Sequence, residues 1–293
     1  MMRGVYSATC SILNDDYSLN VDATIAHAAS AINNGLHGTI FLGSTGSAQL
    51  LDESSKKNLI SKAANHKLKK QFFFGTGTNS LHSTIDLIKY GMEYGFRDCW
   101  LVGCPAYYLK TNEGVYNFYK EIILKIPKVR IILYNFEKLF SFKFEPQFVE
   151  RLVSDFPKNI IGVKDSSYNL YENLKIPNFK IFIGSEAKLL KNLELGGAGT
   201  ISAITQVTHS LARKVFDDFE NKQKQTQNEK LIALRETFDE YNLISALHSY
   251  FSVNDSKFKN LLPPLLLLPE EKKQELLAKL KKLDLIASKG KAA

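Results

Sequence analysis

Lys164 stands near the end of the segment IIGVKD at 160–165, after the apolar residues Ile160, Ile161 and Val163. A lysine stem drawn into apolar surroundings carries a partly desolvated amine. Desolvation disfavours the ammonium form, and the free amine is what attacks a carbonyl carbon. Such a lysine is suited to forming a Schiff base with a carbonyl compound. A structural reading stands beside it, in which Lys164 simply pairs with the adjacent Asp165. Tyr134 follows the run IIL at 131–133. A phenol beside a buried amine can carry protons during imine formation and C–C cleavage, although a core tyrosine with a satisfied hydroxyl would look the same. Ser44-Thr45-Gly46 offers two hydroxyls and backbone N–H groups at a strand-to-loop turn. That set suits a carboxylate, and it is also what an ordinary polar turn contains.

Other chemistries lack their patterns. His27, His37, His66, His82, His209 and His248 are scattered, with no HExxH and no paired spacing, so no metal is expected. No GxSxG elbow occurs. The fragment Gly75-x-Gly77 lacks a third glycine and is no dinucleotide fingerprint, which leaves no cofactor in prospect. Lys and Arg total 38 against 30 Asp and Glu, a formal charge of +8. These cations are spread over most helical segments rather than gathered with aromatic residues, which argues for a solvated surface and against nucleic acid. The apolar run LLPPLLLLP at 261–269 is short and broken by prolines, so no membrane span is expected. The N-terminal MMRGVYSATC has no apolar h-region. Cys10, Cys99 and Cys104 are an odd trio, two of them ending β-like runs, a usage that fits reduced thiols and the cytoplasm.

The elements that must position the reactive residues alternate along the chain. Strand patterns are GVYSATC (4–10), GTIFLGS (38–44), QFFFGTG (71–77), DCWLVGC (98–104), RIILYN (130–135), IIGVKD (160–165), KIFIGS (180–185) and GTISAI (199–204). Their nearly continuous apolar character is that of parallel strands buried on both faces. Amphipathic stretches lie between most of them. Several begin at a cap such as Asp52 or Ser80 and end at glycine, as at Gly35 and Gly95. Eight strands in about 205 residues predict a closed (β/α)8 TIM barrel, an α/β fold, with an open sheet as the alternative. The β signal stops near residue 206. The chain then divides into a catalytic barrel over 1–222 and a C-terminal helical extension over 223–293, packed on the barrel and ending in a frayed SKGKAA.

In such a barrel the reactive groups belong at the C-terminal ends of the strands, and polar residues collect there. They are Ser44-Thr45-Gly46, Thr76-Gly77-Thr78-Asn79, Pro105-Ala106-Tyr107-Tyr108, Tyr134-Asn135, Lys164-Asp165-Ser166-Ser167 and Gly184-Ser185-Glu186.

With these segments in order, the chain resembles the dihydrodipicolinate synthase / N-acetylneuraminate lyase family of Schiff-base aldolases over essentially its whole length. The resemblance is carried by GSTGS (43–47), PAYY (105–108), YN (134–135), GVKDSS (162–167), GSE (184–186) and GGAGTIS (196–202). It implies that Lys164 forms the imine and that Tyr134 relays protons. Ser44 and Thr45 would hold the pyruvyl carboxylate and couple to Tyr134. Tyr107 is similar to a tyrosine that crosses a dimer interface into the partner's site, which implies a homotetramer built as a dimer of dimers. Gly184 and Ile201 would line the pyruvate end, and Ser185 and Glu186 stand where a sugar lyase binds hydroxyls.

The departures matter as much. The glutamate usual after T-G is Ser47, the T-P after the first strand is Thr9-Cys10, and the x-Pro usual after YN is Phe136-Glu137. Five residues after the tyrosine, dihydrodipicolinate synthases carry an arginine for the aldehyde's carboxylate. Here that position is Leu139, with Lys138 beside it. Losing a bidentate clamp is not conservative. The expectation is therefore a class I, metal-independent lyase acting on pyruvate and a 2-keto-3-deoxy sugar acid. N-acetylneuraminate lyase and then 4-hydroxy-tetrahydrodipicolinate synthase follow as alternatives. A reading of another class is a non-catalytic, keto-acid-binding regulatory barrel, suggested by Cys10, Ser47 and Glu137.

Overall fold

A computed structural model describes residues 3–285, so the SKGKAA tail lies outside the described residues. Eight parallel strands close into a barrel in sequence order. They are β1 (Gly4–Ala8), β2 (Gly38–Phe41), β3 (Phe72–Gly75), β4 (Trp100–Gly103), β5 (Ile131–Asn135), β6 (Ile160–Asp165), β7 (Lys180–Ile183) and β8 (Gly199–Ser202). Closure rests on β1 pairing with both β2 and β8, which rules out the open sheet. The strands are shorter than the apolar runs predicted. Residues such as Thr9, Cys10 and Ser44 lie past the ladder, in the loops that form the barrel mouth.

The long helices are α1 (Val21–Asn33), α2 (Glu53–Ala63), α3 (Leu81–Glu93), α4 (Asn112–Lys125), α6 (Pro146–Asp155) and α8 (His209–Glu220), and two short ones are α5 (Glu137–Phe140) and α7 (Leu189–Glu194). The predicted caps form: Asp52 accepts from Ser55 N and Ser80 from Ser83 N, each satisfying an orphan donor of the first turn. Gly35 and Gly95 follow their helices with φ of +118° and +91°, backbone that a side chain would strain. Between β6 and β7 the chain forms no α-helix, and residues 166–179 instead run through turns and bends that bury Leu170, Tyr171 and Leu174 in the core.

After α8 come α9 (Asn228–Asp239), α10 (Leu243–Phe251) and α11 (Glu270–Lys282). The sequence pattern reads α9 and α10 as one helix. Asn242 separates them, its side chain accepting from Ser245 N to start α10. These helices share an apolar cluster with the barrel mouth, in which Cys10, Ile12, Ala203 and Ile204 meet Leu234, Phe238, Leu247 and Phe258. Beside this cluster Gln206 ties the ends of β1 and β8 to α1. Its amide nitrogen donates to the Ala8 and Ala203 carbonyls, while its oxygen accepts from Cys10 N and from His27 Nε2. The three cysteines are buried and form no disulfide among the described residues, and burial pushes the Cys10 thiol up to about 12. No helix among the described residues is long and apolar enough to cross a membrane.

Candidate active site

At the C-terminal end of the barrel a cavity of about 630 Å³ opens, lined by Ser44, Thr45, Tyr134, Lys164 and Gly184 at its inner end. Strand register explains why two of these meet. In the β5–β6 ladder Tyr134 pairs with Lys164 and Asn135 with Asp165. Successive side chains point to opposite faces of a strand. Tyr134 and Lys164 therefore face the cavity together, and Asn135 and Asp165 face away from it together.

Lys164 is 4% exposed. Its Nζ donates to the Tyr134 phenol oxygen at 3.3 Å and lies 4.4 Å from the ring centroid. Ser44 Oγ donates to the same phenol oxygen at 3.3 Å. The structural reading of Lys164 as the partner of Asp165 fails on geometry. The Asp165 carboxylate accepts from Asn135 Nδ2 and from the backbone N–H groups of Tyr168, Leu170 and Tyr171. Among the described residues no carboxylate forms an ion pair with Lys164. Burial pushes the Asp165 carboxyl up, and those N–H groups pull the other way.

This outward pair works as a clasp. Asn135 also donates to Asn169 Oδ1 and accepts from Phe144 N, and Asn169 Nδ2 donates to the Phe144 carbonyl. The clasp ties the loop after β5 to the loop after β6. Those loops supply Phe136, Glu137, Lys138, Leu139, Ser166, Ser167 and Tyr168 to the outer part of the cavity. A further tie runs from Glu137 N to Ser167 Oγ at 2.8 Å. Phe140, closing the short α5, sets its ring edge-on to Tyr134 with centroids 5.3 Å apart. It also rests on Gly103 of β4, where any Cβ would overlap the phenyl ring.

The outer wall is completed by Ala203, Arg235, Asp239, Asn242, Leu243 and Ile244. Most of these come from α9 and the start of α10, which sequence reasoning did not connect with the site. Arg235 Nη1 donates to Glu186 Oε2 at 3.0 Å, to Ser202 Oγ at 3.0 Å and to the Gly184 carbonyl at 3.3 Å. Its Nε faces both Asp239 oxygens at 2.9 Å. Burial works against the charge of the guanidinium, and Glu186 and Asp239 more than offset it, so Arg235 stays protonated.

Several expected residues fall elsewhere. Glu186 is fully buried behind the wall, held by Arg235 and Ser202, so it does not meet a ligand in the cavity. Ser185 is buried as well, near the Tyr168 phenol. In this structure the Glu186 carboxylate is held inside the wall, and neither side chain of this pair is among the cavity lining. Ile201 is packed in the barrel core and does not line the cavity, whereas Gly184 does. A side chain at Gly184 would collide with Ser166. Tyr107 stands 87% exposed at φ +78°, its ring against Tyr108, and does not reach this chain's own cavity. Among the described residues no group of three or more His, Cys, Asp or Glu side chains converges.

Residues 1–283 match the Dihydrodipicolinate synthetase family. A 2-dehydro-3-deoxy-D-gluconate/2-dehydro-3-deoxy-phosphogluconate aldolase of Picrophilus torridus is 29% identical over 218 residues, covering 72% of this chain and 80% of the relative. A 4-hydroxy-tetrahydrodipicolinate synthase of Endomicrobium trichonymphae is 31% identical over 212 residues, covering 71% of this chain and 72% of the relative. In fold, the chain superposes with a TM-score of 0.88 on a prophage protein from E. coli K12, of the dihydrodipicolinic acid synthase family, solved in complex with pyruvate. That pair is 23% identical, over 97% of this chain and 99% of the other.

Proposed function

The chain belongs to the dihydrodipicolinate synthetase family, and from that premise we propose that it is a class I, metal-independent carbon–carbon lyase. Its substrates in this reading are pyruvate and a 2-keto-3-deoxy sugar acid. The observation that carries the proposal is that Lys164 has no ion pair with a carboxylate among the described residues, while its amine lies 3.3 Å from the Tyr134 hydroxyl.

In the cleavage direction Lys164 Nζ attacks the keto carbon. Tyr134 returns a proton to the departing oxygen, so that water leaves and a protonated imine remains. The substrate hydroxyl two carbons beyond then loses its proton to Tyr134. The bond between the hydroxyl-bearing carbon and the carbon next to the imine breaks, its electron pair forms the enamine double bond as the imine pair moves to nitrogen, and an aldehyde departs. Protonation of the resulting enamine, followed by hydrolysis, releases pyruvate and restores the amine. Ser44 keeps the phenol oriented for both transfers, and Thr45 shares with it the task of holding the pyruvyl carboxylate. Gly184 leaves room for the substrate in this scheme.

Leu139 supports a sugar acid over aspartate semialdehyde. It lines the outer cavity as an apolar, half-exposed side chain where a carboxylate clamp would be required. The name of the Picrophilus relative points the same way. The reading further includes a cytoplasmic dimer of dimers, in which Tyr107 completes a partner's site, and a barrel to residue 222 whose helical extension serves the same cavity. Borohydride reduction in the presence of pyruvate, followed by peptide mass analysis, should place one pyruvyl adduct on Lys164. An unmodified Lys164 would sink the Schiff-base reading. An adduct without cleavage of any sugar acid would favour a keto-acid-binding barrel, and efficient condensation of pyruvate with aspartate semialdehyde would overturn the choice of substrate.

A further inference from the structure

The charges on the outer half of the cavity are Glu137, Lys138, Arg235 and Asp239, with Glu186 buried directly behind Arg235. An anionic aldehyde fragment would be drawn first to Arg235, because a guanidinium forks naturally onto a phosphate or carboxylate. That fork is already filled. Its Nε is taken by Asp239 and its Nη1 by Glu186, Ser202 and the Gly184 carbonyl, leaving Nη2 alone without a bond among the described residues. Two carboxylates thus answer one cation. Glu186 adds a second oxygen, Oε1, that is buried with no hydrogen-bond partner among the described residues.

What the wall does offer is a matched pair of neutral-ligand contacts. The Asp239 side chain is 49% exposed, so its oxygens can accept from a donor in the cavity while still holding Arg235. Asn242, on the turn three residues later, uses its Oδ1 to cap α10 at Ser245, which leaves its Nδ2 to donate. A hydroxyl both donates and accepts, and it satisfies such a pair. A phosphate only accepts, and it would meet the Asp239 charge head-on.

We propose that Asp239, clamped on Arg235, makes this cavity select an uncharged, hydroxyl-bearing aldehyde fragment and turn away a phosphorylated one. Asp239 and Asn242 are then specificity-determining residues supplied by the helices that follow the barrel. The proposal rests on the Schiff-base reading of Lys164, and its test separates the two.

The experiment measures cleavage of a six-carbon 2-keto-3-deoxy sugar acid and of its 6-phosphate by the full chain and by its Asp239→Asn and Asp239→Glu variants. Borohydride trapping with pyruvate is run on each. The wild type is expected to favour the unphosphorylated acid in kcat/KM by tenfold or more. Asp239→Asn should shift that ratio toward the phosphate ester by at least tenfold, mainly through KM, and Asp239→Glu should restore the original preference. A wild type that favours the phosphate ester, or a ratio that Asp239→Asn leaves unmoved while the Lys164 adduct still forms, overturns this proposal alone. Absence of the adduct in the wild type overturns both readings. Loss of the adduct only in Asp239→Asn would show that Asp239 supports the fold rather than selectivity, and would also overturn the proposal.

Discussion

Lys164 and Tyr134, at the inner end of the cavity, are hydrogen-bonded neighbours on adjacent strands of a closed ladder, whereas Leu139, Asp239 and Asn242, at the outer end, stand on a short loop helix and on helices beyond the barrel. The inner pair inherits its spacing from backbone register, which cannot slip by one residue without turning every side chain to the other face. The outer set inherits its spacing from side-chain packing and a few hydrogen bonds. Under the proposed function the difference separates two tasks, with the bond-making groups where the fold is over-determined and the selecting groups where substitutions can accumulate without touching the barrel.

The sharpest way to break this division is at Tyr134. Tyr134→Phe should lower kcat about 10²–10⁴-fold, the usual worth of a positioned proton-transfer group, with KM for the sugar acid little changed. Steady-state kinetics checks it. A loss confined to KM would mean that the inner end selects as well as reacts.

Acid should act on the opposite end. His27 and His248 sit where α1 and the helices beyond the barrel pack together, their rings against Phe258, with His248 Nδ1 donating to the Phe258 carbonyl. Burial pulls His27 below its usual value, countered by Gln206 and Asp255. Burial first, and His27 after it, take His248 from 6.5 to about 4, against the pull of the Phe258 carbonyl. The unfolded chain therefore binds these protons at higher pH than the folded chain. The stabilising contribution is complete above about 6.5 and is lost as pH falls toward about 4, on the order of 3 kcal/mol from His248 alone. Urea unfolding from pH 7 to 4.5 should show the loss. Hydrogen exchange should show α9–α11 losing protection before β5 and β6, and simultaneous loss would dissolve the distinction between the two regions.

A smaller effect should sharpen the boundary between them. Asn135→Ala removes the clasp and leaves Asp165 and Phe144 N short of a partner, at a cost of about 2 kcal/mol in folding stability. Thermal unfolding measures that cost. Because the clasp ties the two outer loops, KM for the sugar acid should rise while the Lys164 adduct with pyruvate persists. A fall in kcat at unchanged KM would instead assign the clasp to the inner pair.

The barrel and the inner end were legible from residue order because both are local. Each strand is a continuous apolar run, and Lys164, Tyr134 and Ser44 announce themselves at strand ends. The outer end was not. Arg235 and Asp239, four apart on a helix, look like a solvated ion pair, and nothing in the spacing says that Arg235 is buried against Glu186, 49 residues away. The α9–α10 break was hidden because apolar residues continue across Tyr241 and Asn242, although Asn242 as a cap was the available signal. Glu186 hides its surroundings for the converse reason, since a strand-end carboxylate looks like a ligand until its ion pair is seen.

The phenyl ring of Phe140, seated on Gly103, bears on how such a site can diversify. Residues 137–139 lie between the Asn135 clasp and this ring, so the loop is held at both ends and its crest faces the cavity. A gene could exchange that crest as a cassette, gaining or losing a charged clamp at position 139, so long as an aromatic ring returns at 140 and glycine stays at 103. Ancestry would then leave its marks at the two anchors, and the history of substrate preference would be written in the three residues between them.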